Sequence, residues 1–455
     1  MYDCGNHAIH SPSKGGLELM AIATPNTGTP SGTATVSSPG QSYGAPLATV
    51  TTLFFMWGFL TCLNDILVPH LKPIFDLNYT KVMLIQFAFF GAYFLFSIPS
   101  AKVIDWIGYQ RSMVVGLLVM GLGAFLFVPA ASVPSYPLFL GALIVLAAGI
   151  TCLQVAANPY VTVLGKPETA SSRLNLTQAF NSLGTFLAPF FGGLFILTAA
   201  RNIEDVRALA PDALQAYRLH EAATVKLPYV GLGIALVLLA IAIGSFKLPK
   251  IPHAQHQLGE KVNDSIWNHP NLIFGAIGIF VYVGAEVSIG SFLVNYFSQP
   301  EIGDLTEKVA ASFVAFYWGG AMVGRFIGSA LLQKVKTGGL LAVCAVCAAG
   351  LVAVSMLTNG HTAMYSIILV GFFNSIMFPS IFTLGVAELG PLTGDGSGIM
   401  IMAIVGGAII PVAQGWIADH IGIHHAFFLP VICYLYILYF ALSGSKPNSE
   451  RYAKV

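Results

Sequence analysis

Apolar runs of about 20 residues succeed one another along most of the chain, separated by short polar breaks. A helix rises 1.5 Å per residue, so about 20 apolar residues cross the hydrocarbon core of a bilayer. The pattern predicts twelve spans, at 47–69, 82–104, 112–132, 137–163, 174–199, 227–246, 271–298, 309–332, 338–357, 361–386, 396–417 and 424–443. The stretch from Lys247 to Pro270, "KLPKIPHAQHQLGEKVNDSIWNHP", is polar and holds three prolines. It reads as a linker between two sets of six helices. Residues 1–45 are rich in Ser, Thr, Gly and Pro, a composition that buries too little apolar surface to fold. The predicted organisation is a disordered tail at 1–45, six-helix halves at 46–246 and 271–443 joined by a linker at 247–270, and a tail at 444–455.

The halves carry traces of a duplication. Near a shift of 220 residues Pro159 meets Pro379 and Leu164-Gly165 meets Leu384-Gly385. At slightly larger shifts Gly184, Pro189 and Gly193 meet Gly406, Pro411 and Gly415, while Gly91, Ala92 and Ser100 meet Gly320, Ala321 and Ser329. Asp65 falls near Glu286 by the same rule. Duplicated halves commonly place a site where they face each other.

Composition then fixes the class. The chain is 56% hydrophobic and 9% charged, where a soluble protein carries about a quarter charged residues. The reading is a polytopic all-α membrane protein. Lys and Arg fall mainly in the loops that share a side with the termini, which predicts both termini in the cytoplasm. A formal net charge of +1 gives no nucleic-acid footprint. Five of the six cysteines lie in apolar runs, and Cys344 and Cys347 read as small packing residues in "LLAVCAVCAAGLV". Glycine-rich stretches such as "GLLVMGLGAF" lie inside apolar helices with no strand before them, which excludes a nucleotide loop. No metal or nucleophile constellation emerges, and no cofactor is expected.

Ionisable groups inside the bilayer are rare because each is costly there. Here they are Asp65, Glu286 and Arg325, with Asp105 and Asp419 nearer helix ends. A carboxyl that gains and loses a proton in such surroundings can carry that proton across. Asp65 and Glu286 are therefore candidate ion-coupling groups, against a structural role for Asp65 and a sugar-hydroxyl ligand role for Glu286. Arg325 is expected to form a structural or gating ion pair, and Asp105 is grouped with it. Amides form a second set. Asn175, Gln178 and Asn181 share a face of the fifth span, and Gln154 and Asn158 share one of the fourth. Asn64, Gln86 and Asn295 complete the set, with Ser288 and Ser291 on the face of Asn295. Amides donate and accept together, which suits a polyhydroxylated ligand, and Trp57, Phe90, Tyr93, Tyr160 and Trp318 offer rings to stack on a sugar. Interhelical hydrogen bonding is the competing use of each amide.

"FMWGFLTCLNDILVPHLKP", "CLQVAANPYVTVLG" and "SSRLNLTQAFNSLG" resemble the L-fucose:proton symporter family of the major facilitator superfamily. "FVYVGAEVSIGSFLVNYF" is similar to its glucose/galactose transporter branch, and the resemblance runs from about Ala45 to Leu442. It implies a twelve-helix major facilitator fold and proton-coupled sugar transport by alternating access. The family's coupling aspartate falls on Asp65, and its sugar-binding Gln and Asn fall on Gln178 and Asn181. The fucose pattern has an acid where this chain has Gln154, and a Gln where this chain has Glu286. The expectation is a bacterial inner-membrane, monomeric carrier that imports a hexose with a proton, sodium being the alternative ion. The competing readings are a fucose or N-acetylhexosamine symporter and a facilitator or exporter of another solute. An intramembrane enzyme lacks its catalytic set.

Overall fold

The computed structural model describes residues 43–75, 79–133, 135–195, 210–224, 226–249 and 264–447. The predicted N-terminal tail, most of the linker and the end of the C-terminal tail lie outside the described residues. Helices dominate, with ten stretches long and apolar enough to cross a membrane among the described residues.

The first part of the chain forms α1 (Gly44–Phe75), α2 (Tyr79–Ser132), α3 (Tyr136–Val163), α4 (Ala170–Phe195), α5 (Pro211–Thr224) and α6 (Lys226–Ser245). The second part forms α7 (Pro270–Phe297), α8 (Glu307–Leu331), α9 (Thr337–Leu357), α10 (Gly360–Asn374), α11 (Met377–Gly385), α12 (Thr393–Met402), α13 (Gly406–Ile421) and α14 (Phe428–Tyr439). Ten apolar stretches yield twelve spans. One of them, Phe87–Ser132, is 46 residues long and turns back at Gly108, whose φ of 82° and ψ of 166° no helix contains. It therefore holds the second and third spans. The amide-bearing α4, 26 residues long, supplies the fifth. The tenth span is α10 continued by α11, and the eleventh is α12 continued by α13. Helix α5 lies in the 200–226 stretch that the hydrophobic pattern leaves as a loop, because its apolar and charged residues are mixed.

Packing sets the polar helices at the centre. Helix α1 lies along α4, and α2 along α3 and α6. In the second part α7 lies along α13, α11 and α14, while α10 packs on α8 and α9. The two parts meet where α4 touches α8 and α11, and where α12 touches α2 and α3. The α1–α4 crossing is close. A Cβ at Gly58 would stand 2.1 Å from the Asn181 carbonyl oxygen, and one at Gly184 2.2 Å from that of Phe55. Small residues let membrane helices approach in this way, so that contact rather than water exclusion holds them together.

One end of the bundle is tied across the two parts. Lys102 Nζ lies 2.8 Å from Asp395 and 3.4 Å from Asp105. Ser172 Oγ donates to the Ser329 carbonyl at 2.7 Å, and Ser329 Oγ returns a bond to the Ser172 carbonyl at 3.0 Å. Ser171 Oγ lies 2.6 Å from Thr383 Oγ1 and 3.0 Å from Thr337 Oγ1, and Ser397 Oγ donates to the Val155 carbonyl at 2.8 Å. The same end carries the 246–249 segment, since Gln110 Nε2 donates to the Phe246 carbonyl and Tyr160 OH to that of Pro249. We call it the linker end.

Candidate binding and coupling site

Helix α3 brings two amides to its buried face. Gln154 is 1% exposed; its Nε2 donates to Tyr93 OH of α2 at 2.8 Å, and its Oε1 has no protein partner. Asn158, one turn on, is fully buried with neither amide atom partnered. Pro159 lies inside the same helix and removes a backbone donor beside them. On α4, Gln178 is 4% exposed with Nε2 unpartnered. Its neighbours on that face each make one protein bond, though Asn175 Oδ1 is also unpartnered. Asn181 Nδ2 donates to the Phe54 carbonyl at 2.9 Å, and Asn175 Nδ2 to that of Arg325 at 2.7 Å. Buried polar atoms are nearly always satisfied, so the unpartnered atoms of Gln154, Asn158 and Gln178 call for a ligand or water.

The acid of α7 sits in a different arrangement. Glu286 Oε1 accepts from Tyr282 OH at 2.8 Å and faces Arg325 Nη2 at 3.9 Å. Arg325 also donates from Nε to the Ser375 carbonyl at 3.2 Å, and from Nη1 to Ser182 Oγ on α4. The acid and the guanidinium belong to the second part of the chain, and Ser182 to the first. Arg325 thus lies within ion-pair distance of Glu286 and connects it to the facing half. Opposite charges held together leave no net charge in the apolar interior, the condition under which such groups are tolerated there.

Three residues of this network carry no sequence signal of their own. Tyr282 OH also lies 3.0 Å from the Asn374 carbonyl, and Asn374 Nδ2 donates to Tyr317 OH at 2.9 Å. The last bond mirrors Gln154 to Tyr93. Asn374 stands 220 residues after Gln154, and Tyr317 stands 224 after Tyr93, the offsets of the internal repeat. Testing polar residues as well as Gly and Pro at that offset would have found the pair.

The remaining candidates are distributed differently. Asn64 and Asp65 lie on α1 and Gln86 on α2, with their side chains outside the described residues. Asn295 is exposed, near the far end of α7 from the linker end. Asp105 belongs to the Lys102–Asp395 tie and not to the central set. Among the aromatics, Tyr93 and Phe90 stand together by the amides, whereas Tyr160 packs its buried ring on Tyr109 at the linker end and is unsuited to stacking on a central ligand.

Comparison with known proteins places this arrangement. The profile of the Major Facilitator Superfamily matches residues 49–404. The chain is 55% identical over 412 residues to a glucose/galactose transporter of Brucella abortus, covering 90% of this chain and 97% of that one. It is 35% identical to the L-fucose-proton symporter of Escherichia coli, covering 88% and 93%. The crystal structure of a major facilitator transporter, FucP, in the outward conformation superposes with a TM-score of 0.81 at 33% identity, over 89% of this chain and all of that one. These relatives are transporters and not enzymes. The chain belongs to the major facilitator superfamily, in the group formed by the glucose/galactose transporters and the L-fucose-proton symporters.

Proposed function

We propose that this protein imports a hexose of the glucose or galactose type together with a proton. The observation that carries the reading is the enclosed amide set of α3 and α4, whose unpartnered donors and acceptors suit a ring of hydroxyls. The names of the similar transporters support the same substrate class. The linker end is assigned to the cytoplasm, the membrane to the bacterial inner membrane, and the working unit to a monomer. With its ties between the two halves at the linker end, the structure then corresponds to an outward-facing state, in keeping with its likeness to FucP in the outward conformation.

Coupling is assigned to Asp65 and Glu286. A proton on Glu286 removes the charge that holds Arg325, and Arg325 is bonded to Ser182 on the other half. Protonation of one carboxyl therefore changes a contact between the halves. Sugar bound to Gln154, Asn158 and Gln178 does the same from the other side. The halves rock when both changes have occurred, and the proton is released on the side of lower proton activity.

Purified protein in proteoliposomes tests this. Labelled glucose or galactose is expected to accumulate under an inward proton gradient and to leak out on addition of a protonophore, with L-fucose and N-acetylglucosamine competing weakly. Accumulation driven by sodium alone would reassign the ion. No accumulation of either hexose under any gradient would overturn the reading.

A further inference from the structure

A proline inside a helix has no N–H to offer the carbonyl four residues before it. Pro159 lies inside α3, so the carbonyl left without its helix donor is that of Val155. Val155 and Ser397 are both fully buried, and Ser397 Oγ of α12 donates to this carbonyl at 2.8 Å. A donor from the second half thus takes the place that Pro159 empties in the first. The internal repeat carries the same vacancy. Pro379 stands 220 residues after Pro159 and four after Ser375. Arg325 Nε donates to the Ser375 carbonyl at 3.2 Å, while Nη1 reaches Ser182 of the first half.

Close seating of α12 makes the Ser397 bond possible. A Cβ at Gly398 would stand 2.9 Å from Ala101 Cβ and 3.3 Å from the Ser97 carbonyl oxygen, both on α2. Two residues before Ser397, Asp395 meets Lys102 at 2.8 Å. The Ser397 bond differs in kind from that ion pair. An ordinary helix carbonyl keeps its own helix donor when a neighbouring helix leaves. The Val155 carbonyl has lost that donor to Pro159, so parting α12 from α3 strips it of the replacement. A buried carbonyl without a donor is costly. The same carbonyl lies between two candidate sugar amides, with Gln154 next to it and Asn158 one turn on.

We propose that Ser397 is a positioning residue of the transport cycle, which latches the linker end shut by filling the hydrogen-bond vacancy that Pro159 leaves on α3; this rests on the transport reading above, in which that end opens. When α12 moves off α3, the Val155 carbonyl must turn to water, and water reaches it only once the end has opened. The closed and open arrangements both satisfy the carbonyl, and those between do not. The latch therefore favours two discrete positions over a continuum. Because the latched carbonyl adjoins Gln154, sugar held by that amide acts on the same turn of α3 that closes the end.

Purified full-length protein carrying Ser329→Cys reports the state of the linker end, since Ser329 is buried there against Ser172. Its rate of labelling by a charged maleimide is measured, with protein lacking the added cysteine as the blank for the native thiols. Ser397→Ala is expected to raise the rate about fivefold, the effect of leaving one buried carbonyl without a donor. Pro159→Ala restores the helix N–H, so adding it to Ser397→Ala should bring the rate back close to that of the parent. Pro129→Ala, at the opposite end of the third span from the linker end, should give no such rescue. Unchanged labelling in Ser397→Ala, or a rise that Pro159→Ala does not relieve, would overturn the proposal. Ser397→Ala deletes a single oxygen, so its labelling alone stands as the test if the Pro159→Ala proteins do not fold. No measurable labelling in any of the proteins would mean that the end stays shut, which overturns the transport reading and the latch with it. Labelling that proceeds at one rate with and without the Ser397 hydroxyl would overturn the latch alone.

Discussion

At the scale of single residues, Glu286 and Arg325 act as one unit. Glu286→Gln leaves Arg325 facing a neutral amide in the apolar interior, with Ser182 and the Ser375 carbonyl as its remaining partners. An uncompensated buried charge is destabilising by about 3 kcal/mol. The expected result is a marked fall in melting temperature in detergent together with loss of proton-driven accumulation. Adding Arg325→Met removes the stranded charge. The double variant should regain most of the melting temperature and none of the coupling. A double variant as unstable as Glu286→Gln would show that the two side chains do not compensate each other. The acid itself is legible in the sequence, because a Glu inside "FVYVGAEVSIGSF" stands out. The wider network is not: Tyr282 bonds the acid from the same helix, but Ser182 and Asn374 are ordinary in composition and join through Arg325 and Tyr282 only once the helices have packed.

At the scale of elements, the α1–α4 crossing decides how closely the candidate site is held. Its two backbones meet through Gly58 and Gly184, and a methyl group at either would fall inside a carbonyl contact. Gly184→Ala should force the helices apart, moving Gln178 and Asn181 with α4. Overpacking of this kind costs about 1–3 kcal/mol. Gly141→Ala, with nothing within 4 Å of the added methyl, is the matched control and should melt like wild type. Equal melting temperatures for the two variants would contradict the close crossing. Hydrophobic periodicity read most spans within a few residues, but it counted α2 as two helices and α5 as a loop. The first is no real difference, since the non-helical backbone at Gly108 separates α2 into two helices, as the pattern reads them. The second is physical, because a mixed helix such as "PDALQAYRLHEAAT" gives no clear apolar face to a sequence reader.

At the scale of the whole molecule, the reciprocal Ser172–Ser329 bonds, the Ser171 bonds and the Lys102–Asp395 pair close one end of the bundle across its two parts. If transport requires this end to open, a tether there must stop it. Ser172→Cys with Ser329→Cys, whose native hydroxyls lie 3.5 Å apart, should cross-link with a short bis-methanethiosulfonate, which joins the two thiols through reducible disulfides. Uptake should fall to background and return on reduction, while sugar binding persists. Full uptake by the cross-linked protein would show that this end does not open during the cycle. That the helices form two sets was legible from the repeated Gly and Pro positions. Which end is closed was not, since that depends on short polar side chains meeting across the interface.

The central claim is that sugar and proton enter together, and sugar-evoked proton movement tests it most directly. Proteoliposomes in weakly buffered medium are given glucose or galactose while external pH is recorded, with no ion gradient imposed. Wild type should alkalinise the medium on sugar addition, L-glucose should not, and Asp65→Asn and Glu286→Gln should abolish the signal while retaining sugar binding. Sugar uptake with no change in external pH, or an unaltered pH response in both variants, would contradict the account.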